Sequence, residues 1–133
     1  MSTVKSFSVG SMTVNAAMPS ALEQDEVLSL IGSEVIQRAV GAAQGNLSLG
    51  EEILTTMFVC MPSHTKHRVA GILLGKVMTH GTGTPITIAD FQGKLVEYNK
   101  LLAELTLWNF SDFFAWLSSA VNAEAPGKPE TAQ

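Results

Sequence analysis

At Pro19-Ser20 the hydropathy pattern of this chain changes period, and that change limits its fold more than any other feature. Before it, Val4 to Asn15 alternates: Phe7 and Val9, then Met12 and Val14, stand between Ser6, Ser8, Ser11 and Thr13. Successive side chains of a strand point to opposite faces, so this spacing predicts two strands. Gly10-Ser11 falls between them as a two-residue turn, in which glycine takes the positive φ that tight hairpins require. A β-hairpin is expected over residues 1–16. Two short strands alone are marginal in water, so the hairpin must lie on something larger or pair with strands of another chain. Its edges are candidate assembly sites.

After the change the spacing is helical. Ser20 followed three residues later by Glu23 is a capping-box signature, and Asp25 and Glu26 add negative charge to the first turns. The stripe Leu28, Ile31, Val35, Ala39 and Ala42, flanked by Val27 and Leu30, predicts a core-packed helix. Gly41, Gly45 and Asn46 are expected to end it. A second capping pair, Ser48 with Glu51, opens Leu49 to Met61, where Ile53, Leu54, Met57, Phe58, Cys60 and Met61 cover most of the circumference. That helix is expected to be central to the core, and Pro62-Ser63 to break it. From His64 the helical pattern resumes through Val69, Ile72, Leu73 and Val77, opposite Lys66, Arg68 and Lys76. Gly71 and Gly75 weaken this helix but permit close approach of a neighbour.

His80-Gly-Thr-Gly-Thr-Pro85 is the clearest loop of the chain and is expected to be a flexible connector. Thr87 with Asp90 then opens a helix through Phe91, Leu95, Tyr98, Leu101 or Leu102, and Leu105. Asn109 and Ser111 punctuate before a short last helix with Phe113, Phe114, Leu117 and Val121 on one side. AEAPGKPETAQ, residues 123–133, is polar and proline-containing, the composition of a disordered tail. The expected fold class is mainly α: one domain over 1–122, an N-terminal hairpin followed by a compact bundle of about five helices.

Composition narrows the function. Of 133 residues 46% are apolar and only 15% charged, where a soluble domain usually carries about 25% charge. A domain of this size buries only about two-thirds of the surface it exposes unfolded, so part of this apolar excess is expected to meet another protein. The net charge is −4, and two arginines (Arg38, Arg68) and six scattered lysines form no basic stripe for phosphates, which argues against nucleic acid. Cys60 is the single cysteine, so no internal disulfide or multi-cysteine zinc site is possible, and a reducing compartment is inferred. Ile53 to Met61, the longest apolar stretch, falls far short of a membrane span. MSTVKSFSVG lacks the apolar core of a signal peptide. A soluble, intracellular protein is expected.

No catalytic constellation emerges. His64 and His67 share a helix face, but no acidic residue or cysteine at helical spacing completes a four-ligand metal set, and Lys66 and Arg68 oppose a cation. Gly81-Thr82-Gly83-Thr84 follows a helix and precedes a proline, the wrong context for a phosphate-cradling loop. Cys60 has His64 four residues away, yet its apolar neighbours predict a small core residue rather than a reactive thiolate. Asp25/Glu26 and Glu51/Glu52 occupy first turns of helices, where the dipole explains them. No enzyme activity, cofactor or metal is expected.

The aromatic run remains. Five of nine aromatic residues, Trp108, Phe110, Phe113, Phe114 and Trp116, fall within nine positions. Phe113 and Trp116 share a face that differs from that of Phe110 and Phe114, so one short helix cannot turn all of them inward. They either cap the open end of the bundle or form a subunit or client contact, since aromatic anchors dominate interfaces.

This order of features resembles a known family. The hairpin SFSVGSMTVN, the capped helix SALEQDEVLSLIG, the segment SLGEEILTTMFVCM and an aromatic helix running into an acidic, proline-bearing tail resemble the tail assembly chaperones of long-tailed (siphovirus) bacteriophages, of the lambda tail assembly protein G type. The strongest stretch runs from the hairpin through the Ser20-Ala21-Leu22 helix entry, and MFVCM is the middle match. The loop from His80 to Pro85 departs from the pattern, and the family carries no invariant active-site signature. The resemblance implies a non-enzymatic role: binding the long, largely helical tape measure protein and keeping it soluble while tail tube subunits polymerise around it, in the cytoplasm of the bacterial host and outside the mature virion. It also implies a longer frameshifted product that recruits the tail tube protein, for which the tail after Asn122 is a suitable place. Coating a helical client calls for many self-associating copies, each with an apolar groove or patch. Trp108, Phe110, Phe113, Phe114 and Trp116, with Met57 and Met61, are the candidate partner-binding residues. The competing expectation is a small phage or bacterial regulator that inhibits one globular target.

Overall fold

The computed structural model describes the backbone of residues 3–45, 47 and 49–124 and their side chains as far as Val121. The hairpin forms as the alternation requires. Strands β1 (Val4–Val9) and β2 (Met12–Ala17) pair antiparallel with Phe7 opposite Val14 and Val9 opposite Met12. Gly10 makes the turn at φ 59°. Phe7, Val9, Val14 and Ala16 are buried on one face. On the other, Ser6 Oγ donates to Asn15 Oδ1 at 2.7 Å, and the Ser8 and Thr13 hydroxyls lie 3.3 Å apart.

A third strand completes the sheet from within the chain. Helix α3 (Ser63–Leu73) stops before Val77, where the sequence had predicted continued helix. Leu74 caps it, Gly75 turns the chain, and β3 (Val77–Thr79) pairs antiparallel with β2, so the sheet order is β1-β2-β3. The 80–85 segment, expected to be a flexible connector, is a hydrogen-bonded turn. Gly81 and Gly83 take φ of 93° and 70°, Gly83 N donates to Thr79 O, and Thr84 N donates to Thr79 Oγ1. The returning chain covers the outer edge of β3 through Thr79 N to Thr84 O and Ile86 N to Val77 O.

Helix α1 (Ala21–Gln44) starts at the Ser20–Glu23 capping box, with both reciprocal bonds made. Its buried stripe is Val27, Ile31, Val35, Ala39 and Ala42. Gly41 lies inside the helix and Gly45 caps it; Asn46 lies outside the described residues. Leu47 N donates to Ala42 O, the six-to-one bond that closes many helix ends. Helix α2 (Glu51–Cys60) begins two residues later than the Leu49 expected, on Gly50 with no side-chain cap; Ser48 lies outside the described residues. Met61 ends it in extended conformation at ψ 139°, the geometry a following proline imposes.

The central helix is α4 (Leu95–Asn109), not α2. Helix α4 buries eight residues: Tyr98, Leu101, Leu102, Ala103 and Leu105 together with polar Asn99, Thr106 and Asn109, whereas α2 buries Leu54, Met57 and Phe58. The three polar side chains bond back to carbonyls four residues earlier, which removes the cost of burying them: Asn99 to Leu95, Thr106 to Leu102 and Asn109 to Leu105. Thr87 and Asp90 do make a capping box, but it opens only a single 3-10 turn, Ile88–Phe91. Gly93 at φ 77° then breaks the chain before α4 starts at Leu95, which is itself exposed. Helix α5 (Ser111–Glu124) runs two residues past the expected boundary at 122; residues 125–133 of the anticipated tail lie outside the described ones. The molecule is thus mainly helical, with a small sheet packed on α4 through β1.

Candidate functional site

The aromatic residues separate into core and surface. Phe110 sits at the α4–α5 junction, 4% exposed, with its N–H on Thr106 O and its own carbonyl accepting from Phe114 N at 2.9 Å. Trp108 is half-buried and meets Phe7 of β1 edge to face at 5.5 Å, so it ties α4 to the sheet. Phe110 is thus a core residue, while Trp108 makes a structural contact and keeps part of its surface exposed. Met57 is a correction of the same kind, since at 1% exposure it belongs to the core between α2 and its neighbours. Met61 is half-buried at the α2 terminus, beside Met57 and Pro62 in a hollow of about 160 Å³.

Three aromatics remain at the surface of α5. Phe113 and Phe114 are half-buried, with rings 5.5 Å apart and steeply inclined, and Trp116 lies 5.8 Å from Phe113 and is 59% exposed. The helical spacing explains the split. Leu117 is the buried anchor of α5; Phe113 and Phe114 lie at its flanks, and Trp116 falls outside the buried arc.

Beside this cluster a groove of about 170 Å³ opens between the end of α1 and α5, with Ala39, Ala43, Leu47, Leu49, Phe114 and Leu117 among its lining. Alanines on α1 keep the floor low. Leu47, 64% exposed, forms the rim and was absent from the residues singled out in the sequence. One signal marks it: a lone leucine two residues after a helix-capping glycine is where an apolar contact commonly closes a helix end. The aromatic cluster and this groove together make a largely apolar surface that can receive a side chain or a helix face, with Ser118 the one polar side chain in the groove's described lining.

The other sequence candidates lie elsewhere. His64 and His67 are both exposed on α3, and no group of three or more metal-ligating side chains occurs among the described residues. Cys60 is exposed, contrary to the expected core position, because it falls outside the arc of α2 spanned by Leu54, Met57 and Phe58. Gly71 is exposed with open space beyond it, so no neighbour among the described residues uses the close approach that α3 offers there. Lys66 reaches inward to donate to Asn99 Oδ1 at 3.1 Å, and burial lowers its pKa. Across α2 and α4, burial and the neighbouring Glu51 raise the pKa of the Glu104 carboxyl, with Lys100 and Lys5 opposing the shift.

Among the described residues no helix is long and apolar enough to cross a membrane. Neither a protein-family model, nor a curated protein, nor a solved structure matches this chain.

Proposed function

We propose that this protein is a non-catalytic chaperone of phage tail assembly, which binds the helical tape measure protein and keeps it soluble while the tail tube forms. The observation that carries the reading is the α5 surface: Phe113, Phe114 and Trp116 at the edge of an apolar groove between α1 and α5. Amphipathic helices dock their apolar faces in such grooves, and an exposed tryptophan flanked by aromatics is the side-chain type that supplies most interface energy. The sequence resemblance supplies the client's identity. In this reading copies self-associate along the client, the protein acts in the host cytoplasm and is absent from the mature virion, and a frameshifted longer form recruits the tail tube protein.

Co-expression with the tape measure protein of the same phage tests the reading. The wild-type chain is expected to hold the client in the soluble fraction. The F113S/W116S variant is expected to lose that effect while keeping the wild-type circular dichroism spectrum. Insoluble client in the presence of abundant, folded wild-type protein rejects the proposal.

A further inference from the structure

A second cleft, lined by residues distinct from those of the α1–α5 groove, has a buried polar side chain in its wall. It measures about 480 Å³ and lies between the last turns of α3 and the segment that leads into the 3-10 turn. Ala70, Gly71, Leu74, Pro85 and Ile88 line it, with Tyr98 of α4. That volume is within the range of small-molecule sites, about 300–1,000 Å³. None of its described lining residues is a lysine, arginine, aspartate or glutamate.

Tyr98 distinguishes this cleft from an ordinary surface hollow. Its side chain is 2% exposed and packs against Phe91 with ring centroids 5.4 Å apart. Its hydroxyl has no hydrogen-bond partner among the described residues. No side-chain oxygen or nitrogen among the described residues is both fully buried and unpaired, so the phenol oxygen keeps a small opening to solvent, and Tyr98 is one of the residues that line the cleft. Buried tyrosines usually satisfy that oxygen. Of the other polar groups in the lining, Thr87 Oγ1 accepts from Ala89 N and Thr87 N donates to Asp90, while the imidazole of His67 stands exposed at the rim. Burial also raises the phenol's pKa, which favours the protonated hydroxyl, a group that can donate. Gly71 adds room, since a Cβ built on it meets nothing within 4 Å. An interior helical glycine costs about 0.5–1 kcal/mol relative to alanine, and no close contact among the described residues requires a glycine there.

We propose that the cleft between α3 and residues 85–88 binds a small uncharged molecule with an apolar body and one hydrogen-bond acceptor, which takes the Tyr98 hydroxyl proton as a hydrogen bond. The apolar body lies over Ala70, Leu74 and Ile88, and the open surface at Gly71 lets it approach the α3 backbone. With no lysine, arginine, aspartate or glutamate in the described lining, and His67 exposed at the rim as its one titratable side chain besides Tyr98, nothing deep in the cleft balances a charged ligand. This site is separate from the α5 surface and does not depend on the identity of any client.

Amide-resolved NMR titration of the whole chain with acetophenone and with ethylbenzene, which differ in one carbonyl, tests it. Acetophenone is expected to shift Gly71, Gly75, Ile86 and Ile88 saturably. Ethylbenzene, lacking the acceptor, is expected to bind about fivefold more weakly, the equivalent of one net hydrogen bond. Tyr98→Phe should abolish that preference and leave ethylbenzene binding unchanged. Gly71→Leu should block both probes without loss of helical circular dichroism, since space is open there; should it fail to fold, the Tyr98→Phe comparison still decides. Equal affinity for the two probes, retained preference in Tyr98→Phe, shifts centred elsewhere or no saturable shift overturns the proposal. Shifts of the same amides on diluting probe-free protein assign the cleft to a second copy and overturn it too.

Discussion

Gly10 shows how much one position decides. At φ 59° it closes the hairpin, and a Cβ there meets the Glu97 carboxylate at 2.4–2.7 Å. The carboxylate can swing away, but the backbone conformation cannot change without opening the turn. Gly10→Ala is therefore expected to lower stability by about 1–2 kcal/mol, the cost of a left-handed L-residue, measured by urea unfolding. Glu104 makes an opposite kind of prediction. Its folded pKa lies above the unfolded value because of burial and the neighbouring Glu51, so the folded state holds this proton more tightly. Ionised Glu104 thus opposes folding at neutral pH, and the penalty disappears as pH falls through the folded pKa. Glu104→Gln is expected to be more stable than wild type at about pH 7, with the difference shrinking toward about pH 4. Urea midpoints across that range check the sign. The φ demand on Gly10 was legible in the chain alone, whereas its approach to Glu97 and the burial of Glu104 beside Glu51 join segments distant in sequence and were not.

At the scale of elements, local signals held where they acted locally. The Ser20–Glu23 box starts α1 because both of its bonds lie within four residues. The Thr87–Asp90 box also forms, yet it builds one 3-10 turn, since Gly93 takes a left-handed conformation two residues beyond Phe91. Strand β3 was illegible: three residues cannot show a period, and Val77 fits the helical stripe of α3 as well as it fits a strand. Helix α2 was expected to be central, yet α4 buries more residues, three of them the polar Asn99, Thr106 and Asn109, whose burial no apolar spacing announces. Asn109 Oδ1 receives a bond from Gln24, 85 residues away. The aromatic run divides along the same line. Phe110→Ala, emptying a site that is 4% exposed, is expected to cost about 3–5 kcal/mol. Trp116→Ser, at 59% exposure, should stay within about 0.5 kcal/mol. Thermal or urea unfolding of the pair separates core from surface directly.

On the scale of the whole molecule, the low charge and high apolar content resolve into a filled core and a remainder left outside. Leu22, Leu47, Val59, Leu95, Val96 and Trp116 are each more than half exposed, and of these Leu47 lines the α1–α5 groove while Trp116 belongs to the aromatic cluster beside it. Sedimentation velocity over a concentration series is expected to show association of the wild-type chain that the F113S/W116S variant loses. A wild-type chain that stays monomeric at the highest concentration contradicts self-association through this face. What the sequence determined by itself was every feature set by neighbours within a few residues: the hairpin and its glycine turn, the capped start of α1, the stop at Pro62 and the mainly helical class. Only the tertiary structure decided which helix is central, where the hairpin finds its third strand, and which aromatics remain outside. Those outcomes depend on partners tens of residues away, and burial is a property of the packed whole that no local spacing encodes.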